Sequence, residues 1–365
     1  MSNTREAAAF FDAQVNGFGG TDFNNPRVTT GDYQRAIESM WKTGVTRFFP
    51  TIITASHADM CECLRSAARV AEMSQKETRA IGSSIAGIHV EGPSISPEDG
   101  PRGAHPRQHV RAPDRDEFLR LQEAARGLIR LVTLAPEWPE AAKFVAWLRE
   151  RGIAVAIGHT AATSAQIAEA VRAGARISTH LGNGCAPMVD RLRNPIWEQL
   201  ACDDLCVSLI VDGHHLPPGV VQSMIRAKCP ERVILVTDAS SPAGCEPGAY
   251  RLGEQQVDLS EPSGPGGVGR VEMHGVKPKR LAGSALSMHQ AVANTVRFAG
   301  VSLDDALAMA GSRASALFGL SFPNDRVILE DVSSRPTNQT HSSARCGVVI
   351  HKVFRDGELL WPTTS

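Results

Sequence analysis

The stretch GIAVAIGHTAATSAQIAEAVRAGARISTHLGNG (152–184) decides the fold, because it places one histidine directly after each of two short apolar runs. Ala154 to Ile157 and Arg176 to Thr179 read as brief buried strands, and between them Ile167, Ala170 and Val171 carry the spacing of a helix face. A strand, helix, strand unit of this kind sets both strand C-termini on one side of a parallel sheet. His159 and His180 are therefore expected to face one cleft, where two neutral imidazoles suit a divalent metal.

Outward from this unit the alternation continues in both directions. Upstream lie the strands AFFDAQVN (9–16), TRFFPTII (46–53), AGIHVEGP (86–93) and IRLVTLAPE (129–137), with helices expected over 30–42, 57–73, 114–126 and 139–151. Downstream come CVSLIVDGHH (206–215), a helix around 218–228 and VILVTDA (233–239). Eight βα units in one run argue for a closed (β/α)8 TIM-type barrel, and no G-x-G-x-x-G after the first strand suggests a dinucleotide site. Residues 240–282, rich in Gly, Pro and Ser with YRLG and RVEM as the strand-like pieces, read as an excursion over the barrel mouth. Two helices, 285–298 and 303–317, close the barrel, so that 1–320 is assigned to it. Residues 321–365 are assigned to a small β appendage, a Ser/Thr/Asn-rich link followed by a hairpin turning at Arg355 to Gly357.

Composition narrows the function classes. The chain has 365 residues, 42% hydrophobic, with 38 basic against 39 acidic side chains. A net charge of -1 offers no electrostatic footprint for nucleic acid or an anionic membrane. No stretch approaches the roughly 18 apolar residues of a membrane span, and the start MSNTREAAAF lacks a leader pattern, so a cytoplasmic protein is expected. Eight scattered cysteines form no paired framework and are expected to be reduced; Cys202 and Cys206 lack the further ligands that a zinc site needs.

A barrel carries its chemistry at the C-terminal ends of its strands. There this chain has Gln14 and Asn16, Glu91, His159, His180, Asp212 with His214 and His215, and Asp238. One carboxylate and two imidazoles, Glu91, His159 and His180, form the three-ligand set of a catalytic zinc-like site, leaving Asp238 as general base towards water acidified by the ion. Gln14 and Asn16 are neutral amides and poor ligands for a second ion, so one metal per chain is expected. Zinc comes first, with iron and manganese also compatible with nitrogen and oxygen donors.

The motifs DAQVNGFGGTDFN (12–24), GIHVEGPSISPEDGPRGAH (87–105), TLAPE (133–137), GHT (158–160), THLGNG (179–184), VDGHH (211–215), VTDA (236–239) and LAGSALSM (281–288) together resemble the amidohydrolase superfamily and, within it, the N-acetylglucosamine-6-phosphate deacetylases. The resemblance implies the same ligands, Glu91, His159 and His180, and the same catalytic Asp238. It further implies that His105 polarises the acetamide carbonyl, that Asn183 and Gly184 meet the phosphate, that His215 with Asp212 binds substrate, and that Ala104 and Leu281, Ala282 and Gly283 line the sugar. A basic residue of a neighbouring subunit, Arg191 or Arg193 with the former favoured, is implied at the phosphate, hence a homodimer. The implied reaction is hydrolysis of an N-acetylated amino sugar 6-phosphate to the amine and acetate. An N-acetylgalactosamine phosphate, an unphosphorylated sugar or a catalytically inactive sugar-phosphate binder are the alternatives. The chain reaches barrel strand one at once, which implies a form without the N-terminal half of the family's β-sandwich, its C-terminal hairpin a flap or paired with the excursion. THLGNGCAPM stands where the family has an Asn-Ala-Met run.

Overall fold

The computed structural model describes residues 4–75, 79–277, 279–332 and 347–362. Strand β1 (Thr4–Ala8) is exposed and pairs antiparallel with residues 326–331, outside the barrel. β2 (Phe10–Val15) is buried throughout and opens the barrel, followed by the short hairpin of β3 (Gly17–Phe18) and β4 (Thr21–Asp22). β5 (Val45–Ile53), β6 (Ile88–Glu91), β7 (Ile129–Leu134), β8 (Ala154–Ile157), β9 (Ile177–Ser178), β10 (Cys206–Leu209) and β11 (Val233–Leu235) follow in sequence. β5 pairs in parallel with β2 and each later strand with its predecessor, so barrel order is chain order, as an all-parallel barrel requires. The ends meet where Asp238 N donates to Gln14 O (3.0 Å) and Asn16 N donates to Ala239 O (2.7 Å).

The strands are buried on both faces because helices cover the outside and packed side chains, the polar His89, Thr51 and Thr133 among them, fill the inside. The helix at Ser164–Ala173 shows the local logic. Thr163 caps it in a reciprocal box with Gln166, and it turns Ile167, Ala170 and Val171 inward, the stripe read from the sequence. Two helices depart from the reading. The segment 303–317 breaks into Leu303–Ala310 and Ser312–Leu317, because Gly311 packs where a Cβ would lie 2.9 Å from the Ala9 carbonyl at the entry to β2. Between β9 and β10 a short helix, Pro195–Ala201, was not anticipated, although Asn194 as cap and Pro195 in first position announce it.

The excursion is more ordered than its composition suggests. β12 (Gly248–Leu252), β13 (Gln255–Leu259) and β14 (Val271–Met273) form an antiparallel meander, with QQVDL as the strand missed in the sequence. The C-terminal hairpin does not pair with this excursion. β15 (Arg326–Asp331), β16 (Val348–Arg355) and β17 (Glu358–Pro362) join β1 in one four-stranded sheet of order β1, β15, β16, β17. That sheet sits under the N-terminal ends of β2 and β5, where Ala9 N donates to Asp325 O (3.0 Å) and Arg47 Nε to Asp325 Oδ2 (2.8 Å). It therefore lies at the opposite end of the barrel from the strand-end histidines. Most of the Ser/Thr/Asn-rich link and Cys346 fall outside the described residues.

Candidate active site

Glu91 ends β6, while His159, His180 and Asp238 follow β8, β9 and β11 by two or three residues. The latter three all have left-handed backbone, with φ of 50°, 30° and 50°. Such conformations cost a non-glycine residue about 1–3 kcal/mol and persist where neighbours enforce them. Here the enforcement is visible: His180 N donates to Ser208 Oγ (2.7 Å), and the Asp238 amide closes the barrel on Gln14.

The side chains converge. His180 Nε2 lies 2.9 Å and His159 Nε2 3.3 Å from the same oxygen, Glu91 Oε1. His159 Nδ1 is 2.8 Å from the Pro101 carbonyl, which can only accept, so Nδ1 carries the proton and Nε2 presents a lone pair. A lone pair then faces a carboxylate oxygen, and only a proton or a cation between them relieves the contact. The donor set therefore fits a divalent cation. His105 approaches from the other side: one ligand atom each from Glu91, His105 and His159 lies within 4.8 Å of the others. Glu91 and His159 thus belong to both groupings, which differ in whether His180 or His105 completes the set.

Asp238 faces this group with one oxygen committed. Its Oδ1 accepts from Asn16 Nδ2 (2.7 Å) and from Gln14 Nε2 (3.1 Å), and Gln14 Nε2 also donates to Glu91 Oε1 (3.1 Å). The two amides expected at the end of strand one serve as hydrogen-bond donors to the carboxylates. Burial first and the Glu91 charge second push the Asp238 carboxyl up to about 6. Burial alone would raise the Glu91 carboxyl, but with a proton on Nε2 of each histidine, the alternative to a cation there, hydrogen bonds from His159 and His180 hold it well below the carboxylate range. Burial and then the facing His159 push His105 down to about 3, leaving it neutral.

A cavity of about 220 Å³ opens over these groups, lined also by Ala104, Asn183, Gly184, His215, Leu281 and Gly283. Asp212 stands behind it, accepting from His214 N, His215 N and His215 Nδ1 (2.7 Å), so that His215 presents its Nε2 to the cavity. Ala282 is buried beneath the wall. Arg191 and Arg193 are exposed and do not line the cavity of the single chain. Gly184 has a further reason to be glycine: at φ +55°, a Cβ would meet His159 Nδ1 at 2.6 Å. Four contributors escaped the sequence reading. Thr54 Oγ1 holds His105 Nδ1 at 2.9 Å, the Pro101 carbonyl fixes the His159 tautomer, and Ile53 and Leu252 wall the cavity. A threonine hydroxyl or a carbonyl carries no motif, and Leu252 arrives from a hairpin about two hundred residues after β5.

No protein-family model matches the chain. Among characterised proteins, N-acetylglucosamine-6-phosphate deacetylase of Bacillus subtilis (strain 168) is 31% identical over 309 residues, covering 85% of this chain and 74% of the relative. The enzyme of that name from Homo sapiens is 32% identical over 374 aligned positions, covering 97% and 83%. N-acetylgalactosamine-6-phosphate deacetylase of Escherichia coli O157:H7 is 30% identical over 312 residues, covering 86% and 78%. Among solved structures, N-acetyl-D-glucosamine-6-phosphate deacetylase of Mycobacterium smegmatis, in complex with N-acetyl-D-glucosamine-6-phosphate, superposes with a TM-score of 0.81 at 29% identity, covering 98% of this chain and 87% of that one.

Proposed function

The chain belongs to the N-acetylated amino sugar 6-phosphate deacetylases of the amidohydrolase superfamily, metal-dependent amide hydrolases, and from that premise we propose that it converts N-acetylglucosamine 6-phosphate and water to glucosamine 6-phosphate and acetate. The observation that carries this reading is the convergence of His159 and His180 on Glu91 Oε1, opposite Asp238. Glu91, His159 and His180 would hold one divalent ion, since both Nε2 atoms address one carboxylate oxygen, and nitrogen and oxygen donors suit zinc first, then iron or manganese. Bound there, the ion supplies Lewis acidity, polarising the acyl oxygen and acidifying water.

The protein groups divide the remaining work. Asp238, with Oδ1 occupied by Gln14 and Asn16, takes the proton of the attacking water on Oδ2 and returns it to the departing nitrogen. His105, steadied by Thr54, donates from Nε2 to the acyl oxygen. A second reading, favoured by the cluster of Glu91, His105 and His159, makes His105 a ligand in place of His180. His215, oriented by Asp212, binds the sugar, while Asn183 and Gly184 meet the phosphate with Ala104 and Leu281 to Gly283 along the ring. A second copy of the chain brings Arg191 or Arg193 to the phosphate, a homodimer supported by the exposure of Met188 (88%) and Leu192 (72%) on the same segment.

The protein is assigned to the cytoplasm. All cysteines among the described residues are free, and none of the described helices is long and apolar enough to cross a membrane. The test of the function is acetate and amine release from N-acetylglucosamine 6-phosphate by the metal-loaded enzyme. Stoichiometric release supports the reading, and no release by a chain carrying its ion would end it.

A further inference from the structure

Beside the catalytic cavity lies a second one of about 920 Å³, between the β4 turn, the end of β5 and the β12–β13 hairpin. The two cavities share a wall made by Ile53, Ala104 and Leu252. Ile53 ends β5 and Leu252 ends β12, both buried, and they belong to a small apolar cluster separate from the barrel core, with Ala104 packed against it. The wall is fastened from both sides. Ile53 N donates to Asn24 Oδ1 (2.8 Å), and Gln255 Nε2 donates to the Ala104 carbonyl, tying the hairpin to the loop that carries His105.

We infer that Ile53 and Leu252 set the length of the acyl group this enzyme removes, stopping it after two carbons. The inference rests on the proposed hydrolysis of an N-acyl amino sugar 6-phosphate. In a pyranose the acylamino carbon C2 and the carbon C5 that bears the phosphate arm stand across the ring from one another. With the phosphate at Asn183 and Gly184, just past β9, the acyl end points to the far side of the barrel mouth. β5 lies four strands away on that side. His105, which meets the acyl oxygen, is anchored to Thr54, the residue after Ile53. The carbon chain beyond the carbonyl therefore runs into Ile53 and Leu252, and behind them is room that a longer chain would fill. The chemistry is unchanged by chain length: a C–O bond forms between water and the acyl carbon, the C–N bond breaks, the amine nitrogen gains a proton and a carboxylate leaves.

The experiment compares kcat/KM for N-acetyl and N-butyryl glucosamine 6-phosphate on the metal-loaded wild type and on Leu252→Ala, Ile53→Ala and Ile53→Val. Wild type should prefer acetyl by roughly tenfold or more, the scale at which a closed pocket rejects extra methylenes. Leu252→Ala and Ile53→Ala should each raise the butyryl to acetyl ratio about tenfold, and Ile53→Val, which removes one methylene and should fold normally, should raise it less in the same direction. A wild-type ratio near one, or a ratio unmoved in both Leu252→Ala and Ile53→Val, overturns the inference while leaving the deacetylase standing. Failure of the wild type to release acetate from the acetyl substrate would instead overturn the reaction assignment, and the inference with it.

Discussion

At the C-terminal end of the barrel, Glu91, His159, His180 and Asp238 are buried within hydrogen-bond reach of one another or of a shared amide, and three of the four sit on left-handed backbone. At the N-terminal end, the partly buried Arg47 meets the buried carboxylate of Asp325. It donates to Asp325 at 2.8 Å, to Ser83 O at 2.8 Å and to Asp356 at 3.0 Å, and lies 4.7 Å over the Phe322 ring. The upper end gathers two carboxylates and facing lone pairs, an arrangement that a cation completes. At the lower end, Arg47 finds its counter-charges within the chain. This division matches the general rule that barrels keep chemistry at one end and stability at the other, and it makes the two ends separable by mutation.

The largest effect should come from the upper end. Replacing His159 and His180 together by Ala should remove the ion, about one per chain in the wild type, and abolish turnover. Elemental analysis of the purified proteins reads this directly. His105→Ala should keep the ion and lose turnover. An ion retained by the double variant would dissolve the proposed ligand set, and an ion lost from His105→Ala alone would move that set to Glu91, His105 and His159.

The lower end should show the converse. Arg47→Ala strands the Asp325 carboxylate, which is 2% exposed, and breaking one side of a buried pair typically costs about 3–5 kcal/mol. Thermal or denaturant unfolding should register that loss, while kcat/KM of the folded fraction stays within about twofold. A comparable fall in kcat/KM without loss of stability would erase the distinction between the two ends.

A smaller effect is expected at the rim of the upper end, on the recognition side. A phosphate held by charge-assisted hydrogen bonds should raise kcat/KM for N-acetylglucosamine 6-phosphate at least about tenfold over the unphosphorylated sugar. Arg191→Ala or Arg193→Ala should narrow that gap. Equal values for the two sugars, unchanged in both variants, would remove the phosphate site and shift the substrate to another N-acyl amine.

The same contrast explains what was legible in the sequence. The barrel could be read because its strands are short apolar runs and its helices carry their own stripes, some with caps, all local signals, as at Thr163 to Ala173. The chemical residues stood out because His159 and His180 occupy equivalent places after successive strands. Where a feature depends on distant parts of the chain, the local pattern is silent. β1 and β15 lie far apart in the chain and identify each other only by pairing. The break at Gly311 answers to the Ala9 carbonyl, and the glycine at 184 answers to the His159 ring as well as to any anion. The segment 182–193, outside regular structure and exposed at its tip, carries no periodicity from which the placement of Arg191 or Arg193 could be worked out.

Asp238 is the group that joins the ion's site to proton transfer. The measurement is acetate release from N-acetylglucosamine 6-phosphate by Asp238→Asn beside wild type, both loaded with the same ion and both assayed for ion content. The variant should keep its full ion content and show a kcat lower by at least about a hundredfold, the scale of a positioned proton-transfer group. A variant that keeps its ion and turns over at close to the wild-type rate would contradict this role of Asp238.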